Sequence, residues 1–208
     1  GKVNRCGGRH RPNWPTSPPA WSSPRSAPPP ARRKNFSNRW PSISEPSAIG
    51  VIPARYGSTR FPAKILHPLA GRPLIQWVVE RALQARRLSA VLVATDDERI
   101  ARAVEGTGAT AVMTRADHPS GTDRIAEAVS GRSEPVIINV QGDEPFMDPA
   151  LIDRLADVMA ADPTLDMATA AVLIEREEEL RDPSVVKVVT RHDGTALYFS
   201  RAPIPHFR

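Results

Sequence analysis

Three short stretches carry the residue types that can do chemistry. The first is the 53–64 segment PARYGSTRFPAK, which holds Arg55, Arg60 and Lys64, with Gly57 and Ser58 at a bend. Three cations on one loop repel one another unless an anion lies between them. A triphosphate is such an anion, and backbone N–H groups at Gly57 and Ser58 can donate to it. The GxxxxGK[ST] spacing of a Walker loop is absent, so this is a phosphate cradle of another kind. The second stretch is NVQGDEP (139–145), where Asp143 and Glu144 follow a run of apolar residues and Gly142 permits a sharp turn. One or two carboxylates completed by phosphate oxygens are what Mg²⁺ takes. The third is Arg115 to Arg124, RADHPSGTDR, in which Ser120, Gly121 and Thr122 precede a helix and offer backbone groups to a base or ribose. His118 in this loop is a candidate acid or base, although a lone loop histidine is more often structural.

These stretches need a scaffold, and the pattern from Ala48 onward supplies one. Buried strands are expected at 48–52, 90–94, 109–113 and 135–140, where short apolar runs end in turn residues. Helices are expected at 73–86, from Asp96 or Asp97 to about Gly106, at 122–130, and at 149–161 behind the cap Asp148. Later strands are expected at 167–173, 185–190 and 196–199, with a short helical turn at 177–180; Tyr198 and Phe199 are expected to fill a core. Repeated strand–helix alternation argues for an α/β three-layer sandwich with a mostly parallel central sheet. Ligands of such sheets bind beyond the carboxyl ends of the strands, where all three stretches fall.

Composition narrows the remaining choices. The chain has 208 residues and a net charge of +5. Residues 1–47 hold nine basic residues and one acid, hence +8, and the other 19 bases and 22 acids leave 48–208 at −3. The body therefore gives no reason to expect a polyanionic polymer as ligand. Ten of the 22 prolines lie between Pro12 and Pro46. Residues 1–47 are expected to be a disordered, basic, Pro-rich extension, since they cannot bury enough apolar surface to offset the entropy of ordering. A basic arm for nucleic acid and a Pro-rich ligand for a partner domain are the functional alternatives there. The single Cys6 excludes an internal disulfide framework and a Cys-rich zinc site. No stretch approaches the roughly 20 apolar residues of a membrane helix.

Taken together, IPARYGSTRFPAK (52–64), AGRPLIQWVVERA (70–82), VLVATDDERIARAVE (91–105), MTRADHPSGTDRIAE (113–127), NVQGDEP (139–145) and VKVVTRHDGTALYFSRAPIP (186–205) resemble the 3-deoxy-manno-octulosonate (KDO) cytidylyltransferase family, also called CMP-KDO synthetases. The likeness spans essentially all of 48–208. It implies a Rossmann-like fold of the nucleotide-diphospho-sugar transferase type, transfer of CMP from CTP to KDO with release of pyrophosphate, Mg²⁺ as cofactor, a cytoplasmic enzyme of lipopolysaccharide synthesis, and a homodimer. By this likeness Arg55, Ser58, Arg60 and Lys64 hold the triphosphate, and Arg55, Lys64 and Asp143 are catalytic, Asp143 as the Mg²⁺ carboxylate. Residues 118–124, with Ser120, Gly121, Thr122, Asp123 and Arg124, lie against the cytidine, and Gln141 and Arg201 face KDO. Arg201 can equally cap a sheet edge. Ala63 stands where the family often has Gly, and His67 where a small or apolar residue is usual. The likeness further implies more chain after the SRAPIP segment, carrying a second metal-binding Asp and much of the dimer interface. A CMP-sialic-acid-synthetase-like enzyme and an inactive nucleotide-binding fragment of the same fold are the alternatives.

Overall fold

The computed structural model describes residues 48–57 and 63–205. The 1–47 extension, Ser58 and Arg60 lie outside the described residues. The chain begins with β1 (Ala48–Ala54), followed by a 3₁₀ turn at Lys64–Leu66 and a small hairpin of β2 (Pro68–Leu69) and β3 (Arg72–Pro73). Then come α1 (Leu74–Leu83), β4 (Leu88–Thr95), α2 (Glu98–Val104), β5 (Thr110–Met113), α3 (Gly121–Ala128), β6 (Val136–Asn139) and α4 (Pro149–Ala161). The short α5 (Glu177–Arg181) leads to a second hairpin, β7 (Lys187–Thr190) and β8 (Ala196–Ser200).

The central sheet runs β5-β4-β1-β6, and all three of its pairings are parallel. The period of two along the strands sorts side chains to opposite faces. Ile52, Ala54, Val91 and Val93 meet Ile75, Val78 and Val79 of α1, Ile100 of α2 and Ile152 of α4. Ile49, Val51, Leu92 and Ala94 meet Ile125 and Ala128 of α3. Helices therefore cover both faces, as the alternation of elements predicts. β1 is continuous in apolar residues because it is central and covered on both sides.

Local chemistry sets the element ends. Asp97 accepts from the Arg99 N–H and caps α2. Asp148 accepts from the Ala150 N–H and caps α4, with Pro149 in the first turn. Ser120 caps α3 by accepting from the Asp123 N–H, while its hydroxyl donates to the Asp123 carboxylate at 2.6 Å. This reciprocal cap starts the helix at Gly121, one residue before the position the sequence indicates.

Two expectations fail in the C-terminal third. Residues 167–173 form no strand; Val172 and Leu173 are 91% and 88% exposed. A strand requires a ladder partner, and among the described residues none is placed beside this segment. Tyr198 and Phe199 are not core residues either, at 60% and 44% exposure. β7 and β8 pair antiparallel in a separate two-stranded sheet, and no apolar layer among the described residues covers these rings.

Ala63 sits just before the 3₁₀ turn at φ 57°, ψ 22°, in the left-handed region. That conformation costs a side-chain-bearing residue roughly 1–2 kcal/mol, against about 0.5–1 kcal/mol of extra chain entropy for glycine. Ala63→Gly is expected to stabilise the protein by up to about 1 kcal/mol, raising the unfolding midpoint by roughly 2–4 °C. A thermal melt showing an unchanged or lower midpoint contradicts this account of the turn.

Candidate functional site

The three chemically unusual loops follow β1, β5 and β6, at the carboxyl edge of the parallel sheet. Pro53 near the end of β1 is where they converge. A Cβ on Gly142 would lie 3.1 Å from the Pro53 carbonyl oxygen and 3.0 Å from Ile65 Cδ1, so a side chain there would crowd both and require them to shift by a few tenths of an ångström. A Cβ on Gly121 would lie 3.3 Å from Pro53 Cγ, which brings the start of α3 to the same point. Glycine is used here for close backbone approach.

Lys64 and Asp143 are separated by 79 positions, yet Lys64 Nζ donates to Asp143 Oδ2 at 2.7 Å. Both side chains are nearly half exposed, so this is a solvent-facing pair at the mouth of the site. Arg55 is exposed and makes no ion pair among the described residues, leaving its guanidinium for an anion. The loop is closed at its base by the Ala63 N–H donating to the Tyr56 carbonyl at 3.1 Å. Gln141 is exposed, and its amide donates to Asn139 Oδ1.

Among the described residues, no group of three or more His, Cys, Asp or Glu side chains is arranged to hold a metal. A lone, half-exposed Asp143 beside a phosphate-type cation does not make a protein cage. It suits Mg²⁺ bound by one carboxylate with phosphate oxygens and water, so the residues present fit a metal shared with a nucleotide.

The third loop is built differently from its sequence reading. Arg124 is buried, with its side chain 4% exposed. Its Nη1 donates to Thr114 Oγ1 at 2.6 Å and its Nη2 to Asp96 Oδ2 at 3.1 Å. The guanidinium thus clamps α3 to the ends of β4 and β5, facing inward. The His118 side chain is only 5% exposed and pairs through Nε2 with the Glu127 carboxylate, which in turn accepts from the Arg115 N–H. Burial opposes ionisation of Glu127, but the bonds from His118 and Arg115 outweigh it and hold its carboxyl below the usual range. His118 is thereby a brace of its own loop, the structural role that a lone loop histidine most often has.

Arg201 lies on the C-terminal hairpin side. Its Nη1 donates to the Pro183 carbonyl at 3.0 Å, and its own carbonyl accepts from Lys187 Nζ at 2.8 Å. Lys187 is 3% exposed and also donates to the carbonyls of Asp182 and Val185. Three carbonyls satisfy this buried ammonium. No hydrogen bond or ion pair among the described residues joins Arg201 to the three loops.

Residues that motif reading passed over support the first loop. Arg99 donates to both carboxylate oxygens of Asp97, at 2.9 and 2.6 Å, and its guanidinium lies 3.5 Å from the Tyr56 ring centroid. The side-chain bond from Arg99 lowers the Asp97 pKa from 3.8 to about 2. A depressed carboxylate adds stability above its unfolded pKa, and that contribution is lost as pH falls through the folded value. Asn caps a helix about as well as Asp. The stability difference between the parent and Asp97→Asn is therefore expected to be constant above about pH 5 and to shrink progressively as pH falls through about 2. Thermal midpoints against pH check this; a difference that does not shrink between about pH 5 and pH 2 contradicts it. An Asp-x-Arg spacing at a helix start is the only sequence signal for this pair, and the ring beneath it has none.

An open parallel sheet with a cationic loop after its first strand and a carboxylate on the neighbouring strand's exit places the chain among α/β nucleotidyltransferases. A family model described as cytidylyltransferase matches residues 49–208, and the chain belongs to that family. It is similar to the 3-deoxy-manno-octulosonate cytidylyltransferases of Trichlorobacter lovleyi and Bdellovibrio bacteriovorus, at 49% and 53% identity over 160 residues. Each alignment covers 77% of this chain and 64% of the relative, so the chain spans just under two thirds of the length of these curated relatives. Among solved structures it is similar to a CMP:2-keto-3-deoxy-manno-octonic acid synthetase complexed with CTP. That match has a TM-score of 0.69 and 44% identity, covering 78% of this chain and 67% of that one. A cytidylyltransferase from Leptospira borgpetersenii, with a TM-score of 0.52 and 23% identity, shares the fold.

Proposed function

We propose that the chain acts as a KDO cytidylyltransferase, which forms CMP-KDO and pyrophosphate from CTP and KDO. The observation that carries this reading is the meeting of Lys64 and Asp143, which sets a phosphate-type cation against a metal-type carboxylate at the sheet edge. Support comes from the relatives' names and from the CTP-complexed structural neighbour.

In the proposed reaction the anomeric hydroxyl oxygen of KDO bonds to the α-phosphorus of CTP. The bond from that phosphorus to the bridging oxygen breaks, and the hydroxyl proton passes to solvent. Arg55 and Lys64, with Ser58 and Arg60 on the same loop, hold the β- and γ-phosphates and neutralise the charge that accumulates as pyrophosphate leaves. Asp143 is the residue that would hold Mg²⁺, which supplies charge stabilisation at the α-phosphate and lowers the pKa of the hydroxyl. Backbone groups of the 118–124 loop receive the cytidine, with Ser120, Asp123 and Arg124 holding that loop in place. Gln141 and the Arg201 guanidinium face the KDO, whose carboxylate suits a cation. Both substrates are free metabolites, and we place the reaction in the cytoplasm, supplying lipopolysaccharide synthesis.

Pyrophosphate release by this chain with CTP, KDO and Mg²⁺, beside a control lacking KDO, tests the proposal. KDO-dependent release is the expected result. CTP binding by calorimetry without release would identify a nucleotide-binding half-site that does not turn over. Absence of CTP binding would overturn the reading altogether.

A further inference from the structure

The Asp96–Asp97 pair in the 91–105 stretch has no place in the reaction above, yet each carboxylate holds a different loop. β4 lies between β1 and β5, so its exit is flanked by the first loop on one side and the third on the other. Asp96 pairs with Arg124, whose Nη1 also bonds Thr114 at the end of β5. Asp97 pairs with Arg99, whose guanidinium lies over the Tyr56 ring. Tyr56 stands between Arg55 and the Ala63–Lys64 step and is tied to the latter by its own carbonyl. Tyr56 is therefore a fixed point of the loop segment that carries Arg55 and Lys64. Arg99 is oriented by two bonds to one carboxylate, which costs it little further ordering when it stacks.

From this geometry we infer that Asp96 and Asp97 are positioning residues that hold separate halves of the nucleotide. Asp97 acts through Arg99 and Tyr56 on the triphosphate loop, and Asp96 acts through Arg124 on the nucleoside loop. The inference rests on the CTP reading above and assigns that site's two supports. Neither carboxylate touches the reacting atoms.

The test compares CTP with CMP, each with Mg²⁺, by calorimetry on the full chain. Arg99→Met is expected to weaken CTP by about 3- to 10-fold, the worth of a guanidinium–ring contact, and CMP by less than about 2-fold. Tyr56→Leu is expected to match it, Tyr56→Phe to bind like the parent because the ring remains, and the Tyr56→Leu/Arg99→Met double variant to be no weaker than either single one. Asp96→Asn is expected to weaken CTP and CMP by the same factor. If Asp96→Asn does not fold, Thr114→Val, which removes only the neutral partner of Arg124, is read in the same way. Equal losses of CTP and CMP in Arg99→Met, no loss there, or a CTP-only loss on the Asp96 side would overturn the inference while leaving the function standing. A parent chain that binds neither nucleotide overturns both.

Discussion

Asp143→Asn is expected to lower Mg²⁺-dependent pyrophosphate release by about 10³-fold or more while leaving the fold intact. Asn keeps the shape of Asp143 but not its charge, and a neutral amide oxygen is a poor ligand for a hard cation. The fold should be indifferent because the Lys64–Asp143 pair is solvent-facing, with side-chain exposures of 43% and 46%. Exposed pairs contribute roughly 0–1 kcal/mol. The measurement is pyrophosphate release in parent and variant, with circular dichroism and a thermal melt as controls. Activity within about tenfold of the parent would remove Asp143 from the metal role. A lost fold would instead show that the 139–145 loop depends on this pair for its structure.

Arg124→Leu is expected to have the largest effect on stability. The guanidinium is 4% exposed and Asp96 18%, so both groups of the pair have largely left water. Asp96 Oδ1 is itself buried with no hydrogen-bond partner among the described residues, so the carboxylate relies on Arg124 through its other oxygen. Removing one member of a buried pair typically costs 3–5 kcal/mol because the other charge is stranded. The residual access of Asp96 to solvent puts the expectation near the low end, at about 3 kcal/mol, or a fall in midpoint of roughly 6–12 °C. Removing the stranded charge as well, in Asp96→Asn/Arg124→Leu, should recover part of that loss. A single-variant loss below about 1 kcal/mol would show that Arg124 contributes little as a clamp, and that its guanidinium is available to the nucleotide loop.

The two variants mark how differently the site's parts could be read from sequence. Asp143, Arg55 and Lys64 stand out as candidates by residue type and spacing alone, and the structure brings two of them, Lys64 and Asp143, into contact. Arg124 sits in an equally suggestive SGTDR stretch, but only the tertiary structure shows it turned inward onto Thr114 and Asp96. Type and spacing state what a side chain can do; the direction it faces depends on which strands lie beside it.

Sequence alone was enough for the parallel α/β body, for the cap at Asp148, for a start of α2 at Asp96 or Asp97, and for singling out the loops that hold the candidate residues. Those features depend on local periodicity and on backbone groups a few residues away. In the C-terminal third the sequence anticipated α5, β7 and β8, but not which apolar residues are covered. The apolar 167–173 run and the Tyr198–Phe199 pair have strand-like patterns, but a pattern becomes a buried strand only when a partner and a covering layer are present. Nor did it show the convergence of Gly121 and Gly142 on Pro53, the His118–Glu127 brace, or the stacking of Arg99 on Tyr56. The glycine convergence and the Arg99–Tyr56 contact join positions far apart along the chain, brought together by strand order β5-β4-β1-β6, which no local propensity encodes; His118 and Glu127 are nine positions apart and meet across the turn into α3.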